Sequence, residues 1–414
     1  MYEKKDLDIY LCYLFLFFSL GAFNIPREGF ISLMLFGVWV ISISGNIREW
    51  LKRLIIDYRM WALSCFLLCF GVLSLFEANK GLALKYFFNY IRFFAPYLIY
   101  QYYALDFNKK KAEKVYNGAV TIFFIWIMWA TLYFLRYRGA AAKLAAGSWE
   151  KAYIALGGGQ WLAYGAALYC VFLTWKILNK EKKMIDLLCW AAALTLIFLV
   201  QSTITLILCG VGICLCIADY ILRKSVRKTL CALILGVIII FVIMVCFFYK
   251  DIVSWLFSLS QQWALTNSDK ILIRLKQIIQ ILYGESPEET TSSVLRMKAY
   301  IESLRVFLSN ILWGESLAVG VIPGAGTAGE HSEILDALAR WGFIMGGSFC
   351  FAFFTPLIKW AKQGNRYILG TVLIAFGILN PIVSFQITMV TLLIIPLYSI
   401  CENKGENKNG LLCA

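Results

Sequence analysis

The chain has 414 residues, of which 61% are hydrophobic, 16% aromatic and 15% charged. A soluble domain carries about 25% charged residues, so this composition excludes a water-soluble fold. The formal net charge of +14 would suit nucleic acid, but the lysines and arginines fall mostly in short segments between apolar runs. That distribution indicates a membrane surface and no nucleic-acid partner.

The apolar runs are about 17–22 residues long, which a helix needs to cross about 30 Å of hydrocarbon. They predict an all-α protein with one membrane domain, residues 1–414. The first run lacks a small-residue cleavage site, so we expect a retained helix and no signal peptide. Residues Gln201, Ser202 and Thr203 interrupt the long stretch 187–222, which predicts a hairpin there. The twelve predicted spans are 9–23, 30–46, 60–76, 85–104, 115–135, 158–178, 186–201, 203–222, 230–249, 341–361, 367–381 and 384–400.

Basic residues concentrate in alternate loops, and the positive-inside rule then places these loops and both termini in the cytoplasm. The opposite loops at 24–29 and 77–84 are short and poor in charge. Two others, 136–159 and 250–340, carry several basic residues, but long loops translocate largely regardless of charge. The basic loops contain Arg48, Lys52, Arg53 and Arg59; Lys109, Lys110, Lys111 and Lys114; Lys180, Lys182 and Lys183; Arg223, Lys224, Arg227 and Lys228; and Lys362 and Arg366.

Three helices are predicted inside the long outer loop, 250–340. The first has amphipathic spacing and is expected to lie in the membrane interface; its apolar positions are Ile271, Leu275, Ile278 and Leu282. The second follows a Ser292/Ser293 start signal and runs over 294–308, with an apolar face of Met297, Ile301, Leu304 and Leu308. After a turn rich in glycine at 314–329, the third begins near Glu330 and continues into the tenth span.

His331 is the only histidine, and its side chain can exchange a proton near neutral pH, so it is the first candidate for acid–base chemistry. Helical spacing from His331 predicts a stripe that faces the bundle, formed by Leu335, Leu338, Gly342 and Gly346. The alternative is that His331 is simply a residue at a helix start in the interface.

The segment 331–347, HSEILDALARWGFIMGG, resembles the His-Asn-x-x-Leu pattern and later Gly-Gly of the O-antigen ligase and Wzy-type polysaccharide polymerase superfamily. The segment from Arg296 to Gly314 is similar to the helix of that family that begins with arginine and ends in a glycine-rich turn. The layout of twelve spans with one long outer loop agrees. Two features depart from the pattern: Ser332 replaces the usual asparagine, and 201–205 has no arginine where many relatives carry Ser-Arg.

The resemblance implies a GT-C-like fold in which the loop 250–340 is extracytoplasmic and catalytic. It implies glycosyl transfer with undecaprenyl pyrophosphate as the leaving group, on the outer face of a bacterial inner membrane. His331 would accept the proton of the attacking hydroxyl, and Arg296 would stabilise the departing pyrophosphate, because a guanidinium binds phosphate oxygens bidentately. Further residues expected to bind pyrophosphate or glycan are Arg92, Arg274, Arg305, Glu302 and Ser332.

Several of these cations also have ordinary explanations. Helical spacing allows Lys298 and Arg305 to pair with Glu302, and Arg340 to pair with Asp336, as surface contacts. Arg92 lies within an apolar run, where an unpaired charge costs several kcal/mol. It is therefore expected either to face a cavity or to extend to the interface.

No motif for a metal or a nucleotide is recognisable. The outer loops contain no Asp-x-Asp pair, and the thirteen cysteines show no CxxC or Cys/His grouping outside the apolar runs. A P-loop or dinucleotide-binding glycine motif is also missing. We therefore expect a reaction without metal or cofactor, and no ATP-driven export.

Three functions remain open. The first is a polymerase that joins undecaprenyl-pyrophosphate-linked repeat units into O-antigen or capsule, and the second is a ligase that transfers glycan to a lipid A core. The third is a flippase or other transporter of lipid-linked oligosaccharides. A transporter expects its site at mid-membrane between repeats, whereas charge here collects in the outer loop, which favours an enzyme. Expected partners are lipid-linked glycans, membrane lipids, a flippase and a chain-length regulator.

Overall fold

The computed structural model describes residues 6–21, 28–77, 79–105, 108–137, 161–179, 184–200, 202–223, 292–315, 332–362, 367–380 and 382–409. These residues form helices and no strand. In chain order the helices are α1 (Leu7–Ser19), α2 (Glu28–Ser42), α3 (Ile47–Ile56), α4 (Tyr58–Phe76), α5 (Lys80–Tyr103), α6 (Lys109–Arg136), α7 (Trp161–Asn179), α8 (Met184–Val200), α9 (Thr203–Arg223), α10 (Ser292–Ser309), α11 (Glu333–Trp341), α12 (Gly347–Lys362), α13 (Tyr367–Leu379), α14 (Phe385–Thr388) and α15 (Ile395–Asn409).

Six described helical segments are long and apolar enough to cross a membrane: Tyr58–Phe76, Lys110–Arg136, Leu162–Asn179, Ile204–Ile221, Glu333–Leu357 and Phe385–Glu402. A bent pair, Gly29–Ser42 and Ser44–Ile56, makes a seventh if it counts as one span, and its two parts differ in direction by 56°. The chain is therefore an all-α membrane protein with several crossings. The helices at the predicted spans 9–23, 85–104, 186–201 and 367–381 do not meet this standard of length and hydropathy. The predicted span 230–249 lies outside the described residues, so twelve crossings stay a prediction.

Two sequence predictions about helix boundaries are confirmed. Helix α8 ends at Val200 and α9 begins at Thr203, so the stretch 187–222 is divided where polar residues interrupt it. Helix α10 begins at Ser292, the serine of the start signal. The basic segment 47–56, however, forms the helix α3 and not the loop that its charge predicts. It is amphipathic, and Trp50 fastens it to α5 by donating a hydrogen bond from Nε1 to Leu98 O (3.2 Å).

The helices give the bundle two ends with different polar chemistry. We call one the basic end, because the described basic segments 48–59 and 109–114 lie there. It contains Asp8, Asp57 and Asp186, beside the ends of α2, α5 and α7. We call the other the distal end; it contains the start of α11 and the turn between α13 and α14. Helix α10 packs on α11 at this distal end.

A buried network at the basic end is centred on Asp57, which lies between α3 and α4. Arg59 donates hydrogen bonds to both carboxylate oxygens, from Nε (2.7 Å) and from Nη2. Tyr97 Oη and Gln101 Nε2 each donate to Asp57 Oδ2 at 2.6 Å. Arg53 Nε then donates to Gln101 Oε1 (2.8 Å), so the network joins α3, α4 and α5.

Two further ion pairs at the basic end join helices that are distant in sequence. Lys111 Nζ lies 2.7 Å from Asp8 Oδ1, which connects α6 to α1, and Tyr103 Oη donates to Asp8 Oδ2 at 3.1 Å. Lys176 Nζ lies 2.7 Å from Asp186 Oδ1, which connects α7 to α8. Both carboxylates are buried, so these contacts hold the bundle together at this end.

An aromatic cluster fills the interior between α4, α5 and the α11–α12 region. Its members are Phe66, Phe70, Tyr90, Trp341 and Phe349, with ring centroids 5.1 to 6.0 Å apart. Tilted and edge-on pairs of this kind contribute about 0.5–1.5 kcal/mol beyond area burial. The cluster packs the span Glu333–Leu357 against α4 and α5.

Two glycines allow the turn after α10 to dock on the junction of α11 and α12. Gly342 has φ +65°, and a Cβ there would lie 2.3 Å from Leu312 O. Gly314 has φ +70°, and its Cβ would lie 2.4 Å from Gly342 N. Phe343 N donates to Ile311 O (2.7 Å) across the same contact. Only glycine tolerates both this backbone conformation and this proximity.

Candidate functional site at the distal end

The end of α13 receives hydrogen bonds from two other helices. Ser332 Oγ donates to Gly377 O (3.2 Å), and Glu333 N donates to Asn380 O (3.1 Å). Tyr300 Oη, from α10, donates to Leu379 O (2.9 Å). Carbonyl groups at a helix end lack partners within the helix, so α10 and α11 satisfy them and meet at this point.

Glu333 connects α11 to the turn between α13 and α14. Its Oε2 accepts hydrogen bonds from the backbone N–H groups of Ile382 (2.8 Å) and Val383 (3.1 Å). It occupies the first turn of α11, where a negative charge also interacts favourably with the helix dipole. Glu333 Oε2 therefore serves as an acceptor for backbone N–H groups.

Ser332 and Asp336 together cap the start of α11. Ser332 Oγ accepts a hydrogen bond from Leu335 N (3.2 Å), as an N-cap serine does. Asp336 Oδ2 accepts from Ser332 N (3.1 Å), and its Oδ1 accepts from Ser303 Oγ (2.8 Å) on α10. Both capping residues are buried. The cap therefore also fixes α10 against α11.

Helix α10 packs on α11 through one polar and one apolar residue. Ser303 and Val306 are buried against α11, whereas Ile301, Leu304 and Leu308 are 53%, 46% and 59% exposed. The apolar face predicted for this helix is thus turned away from the bundle. An apolar face in that position suits a lipid environment.

The two residues predicted to be catalytic are only partly within the described structure. His331 and Arg274 lie outside the described residues, and of Arg296 only the backbone, on α10, is described. Helix α11 begins at Glu333 and not near Glu330, because Ser332 takes the N-cap with an extended backbone (φ −146°, ψ 122°). The helix thus begins three residues later than predicted, and the predicted placement of His331 on its stripe lies outside the described residues.

The ion pair that spacing allows between Arg305 and Glu302 is present, with Nη1 and Oε2 2.9 Å apart. The Arg305 side chain is 72% exposed, so such a pair contributes little to stability. Lys298 is also exposed. Both cations stand on the open side of α10.

Arg92 is half-buried on α5, as expected of a charge that avoids lipid. Its guanidinium lies 5.5 Å from the ring centroid of Phe93. A Cβ on Gly29 would be 3.0 Å from Arg92 Nη1, so this arginine reaches the first turn of α2. A side chain at position 29 would shift the end of Arg92 slightly.

The predicted surface pair of Asp336 and Arg340 is wrong. Asp336 is only 4% exposed because α10 covers that side of α11, and it is hydrogen bonded to Ser303 and Ser332. No ion pair within 4.0 Å joins it to Arg340 among the residues that the structure describes. Arg340 instead lines an apolar groove beside α4.

Sequence reasoning missed Glu333 and Tyr300 as parts of this site. A local signal existed for the cap, since a serine followed by acidic residues in the next turn predicts a helix start. The bonds from Glu333 to Ile382 and from Tyr300 to Leu379 span 49 and 79 residues. No local pattern in the sequence indicates contacts at that separation.

The fold and its polar distal end define an integral membrane protein with several crossings. Comparison with models of known protein families gives no match, and comparison with curated proteins finds no similar one. The resemblance of residues 296–347 to the ligase and polymerase superfamily therefore rests on residue pattern alone.

Proposed function

We propose that this chain is a Wzy-type polymerase that joins undecaprenyl-pyrophosphate-linked repeat units on the outer face of a bacterial inner membrane. One observation supports this most directly. The neighbours of both predicted catalytic residues are fastened to the same end of α13. Ser332 follows His331 and donates to Gly377 O, and Tyr300 lies one turn after Arg296 and donates to Leu379 O.

Chain geometry limits how far the two residues stand from these anchors. The Cα atom of His331 is about 3.8 Å from that of Ser332. Arg296 precedes Tyr300 by four residues on α10, which is about 6 Å along a helix axis. A base and a cation near one point can act on one substrate, and such positioning supplies much of the rate of a two-substrate reaction.

In the proposed reaction, a hydroxyl of the acceptor sugar attacks the anomeric carbon of the donor. The hydroxyl proton passes to His331 as the new C–O bond forms. The bond from the anomeric carbon to the pyrophosphate breaks with inversion, and its electron pair leaves with the pyrophosphate. Arg296 stabilises that charge through two parallel hydrogen bonds. Arg92, Arg274, Arg305, Glu302 and Ser332 are the residues assigned to pyrophosphate or glycan binding.

Arg305 can exchange its partner Glu302 for the diphosphate of the substrate. Its contact with Glu302 is exposed to solvent, and exposed pairs are worth only about 0–1 kcal/mol. A diphosphate carries more charge than a carboxylate and offers more acceptor oxygens. Arg305 can therefore leave Glu302 for the substrate at small cost.

The proposal also fixes an orientation. The distal end faces outward, and the basic end and both termini face the cytoplasm, in agreement with the positive-inside rule. Reporter fusions at Glu288 and Asn407 test this orientation. Cytoplasmic reporter activity at Glu288 would overturn it.

The reaction is tested in a strain that lacks the chromosomal copy, by the length of the glycan ladder at matched protein level. His331→Ala should slow chain extension by about 10²- to 10⁴-fold, the usual contribution of a positioned proton acceptor. Arg296→Lys keeps the charge but loses the paired donors, so it should impair extension, and Arg296→Ala should impair it more. Ladders are expected to collapse to single repeats.

Lys52→Gln is the control, because it removes an exposed cation at the opposite end of the bundle, where Lys52 pairs with Glu49. Its ladder should be normal. A normal ladder from His331→Ala would remove the assignment of the base, and normal ladders from His331→Ala and Arg296→Ala together would overturn the proposed function.

A further inference from the structure

A groove of about 330 Å³ lies between α4 and the junction of α11 and α12. This volume is at the lower end of the range for ligand pockets, about 300–1,000 Å³. Its lining is apolar apart from one charged residue, Arg340. The lining residues are Leu68, Cys69, Val72, Leu73, Trp313, Arg340, Trp341, Ile344 and Met345.

The groove opens sideways toward the membrane. On α4, the lining residues Leu68, Val72 and Leu73 are 68%, 54% and 46% exposed. They belong to the span Tyr58–Phe76, and the opposite wall belongs to the span Glu333–Leu357. Hydrocarbon surrounds a membrane span at this depth, so lipid chains meet the open side of the groove.

Arg340 is the one charged residue in the apolar lining of the groove. It lies within a membrane span, where a charged side chain is costly unless it has a partner. Its Nε is buried and makes no hydrogen bond, and no ion pair joins its side chain to another described residue. A guanidinium in this position has unused donors directed at an apolar space.

Two acidic groups on α11, the helix that carries Arg340, are already engaged. Glu333 lies within electrostatic range of it, but Glu333 Oε2 accepts two backbone hydrogen bonds. Asp336 accepts hydrogen bonds from Ser303 and Ser332. The donors of Arg340 are therefore left for an acceptor from outside this part of the protein.

We propose that the groove binds one anionic phospholipid of the surrounding bilayer. An acyl chain would lie along α4 between Leu73 and Met345, and the phosphate would accept hydrogen bonds from Arg340. Guanidinium and phosphate form strong charge-assisted hydrogen bonds. Bulk phospholipid faces the open side at a concentration far above that of any lipid-linked substrate, and binding follows mass action. The site is thus separate from the proposed reaction.

Native mass spectrometry of the purified full chain tests the proposal, with phosphatidylglycerol and phosphatidylethanolamine as the competing probes. The wild type should retain one phosphatidylglycerol in preference to phosphatidylethanolamine. In Arg340→Gln this preference should fall about tenfold, which corresponds to the loss of one charge-assisted hydrogen bond. Leu73→Trp fills the groove without altering charge, and it should abolish retention of either lipid.

Arg136→Gln is the matched control, since Arg136 is an exposed arginine at the end of α6 outside the groove. It should retain phosphatidylglycerol as the wild type does. Retention that is unchanged in Leu73→Trp would overturn the proposal even if Arg340→Gln failed to fold. Displacement of the phospholipid by an equimolar polyprenyl diphosphate would also overturn it and assign the groove to the substrate. Loss of ladder formation in His331→Ala bears on the proposed reaction only.

Discussion

The two ends of the bundle use their acidic residues in different ways. At the basic end, Asp8, Asp57 and Asp186 each pair with a lysine or arginine side chain. At the distal end, Glu333 and Asp336 accept hydrogen bonds from backbone N–H groups and a serine. The basic end therefore pairs its buried carboxylates with cationic side chains, and the distal end satisfies its buried carboxylates with hydrogen bonds from backbone N–H groups and a serine.

Charges at the basic end that join helices thus differ from charges at the distal end that are exposed or line the groove. A buried ion pair with further hydrogen bonds offers nothing to a ligand, so the basic end acts as a clamp on the helices. The distal end leaves cations available, since Arg340 lines the groove and Arg305 and Lys298 are exposed. Cations without strong partners are what an anionic substrate or lipid requires. This difference supports the proposal that an anionic ligand binds at the distal end.

The largest loss of stability is expected at the distal end where the backbone at Gly342 touches the backbone at Leu312. Gly342→Ala places a Cβ 2.3 Å from Leu312 O at a positive φ, so the variant should lose more than about 4 kcal/mol and fail to accumulate. Gly347→Ala is the control, because the nearest atom would be 3.7 Å away. Protein level and thermal melting in detergent measure both. Normal melting of Gly342→Ala would contradict this close packing.

At the basic end, Asp57→Ala leaves Arg59 buried without its carboxylate. Breaking a buried pair on one side costs about 3–5 kcal/mol, so the melting temperature should fall strongly while the distal end keeps its chemistry. The exposed pair of Glu49 and Lys52 provides the contrast, since Glu49→Ala should cost only a few tenths of a kcal/mol, about 0.2–0.5. Equal losses of stability in Asp57→Ala and Glu49→Ala would contradict a stabilising role for the buried network at Asp57.

Glu333 can be tested by a pair of variants that differ only in the acceptor. Glu333→Ala leaves the N–H groups of Ile382 and Val383 without a partner, at a total cost of about 2–6 kcal/mol. Glu333→Gln keeps a carbonyl oxygen that can accept both bonds. Hydrogen exchange at residues 382–383 should accelerate in the alanine variant and recover in the glutamine variant. Fast exchange in both variants would show that the negative charge of Glu333, and not its carbonyl oxygen, stabilises the turn between α13 and α14.

The smallest expected effect is the loss of stability at low pH. Burial alone would raise the pKa of Asp57, but hydrogen bonds from Arg59 and Tyr97 and the charge of Arg59 hold that pKa below its ordinary value. Because the folded pKa is lowered, the stabilisation is complete above the unfolded pKa of about 3.9 and is lost as the pH falls through the folded value. Melting should be flat from neutral pH to about pH 4 and decline below it. In Asp57→Asn this decline should be weaker; an equal decline would assign it to other carboxylates.

Local patterns in the sequence predicted local structure well. Apolar run length located the long spans, and polar residues marked the division at 201–203. Helix α3 was missed because its charged residues alternate with Leu51, Leu54 and Ile55, which masks an amphipathic helix inside a basic loop.

The polar networks could not be predicted, because their partners are far apart in the chain. Asp57 and Tyr97 are 40 residues apart, and Glu333 and Ile382 are 49 apart. Helical spacing suggested instead that Asp336 would find Arg340 on its own helix. The packing of α10 over α11 decided otherwise, and only the tertiary structure shows that packing.

The shortness of α13 has a consequence for depth in the bilayer. Its 13 residues extend about 20 Å, which is about 10 Å less than the hydrocarbon thickness. The turn that follows therefore begins below the level of the lipid headgroups. Irregular backbone is tolerated there only if protein groups satisfy it, which Tyr300, Ser332 and Glu333 do. On the proposed orientation, with α13 starting at the cytoplasmic surface, a hydrophilic ligand must therefore descend below the headgroups to reach the distal polar site.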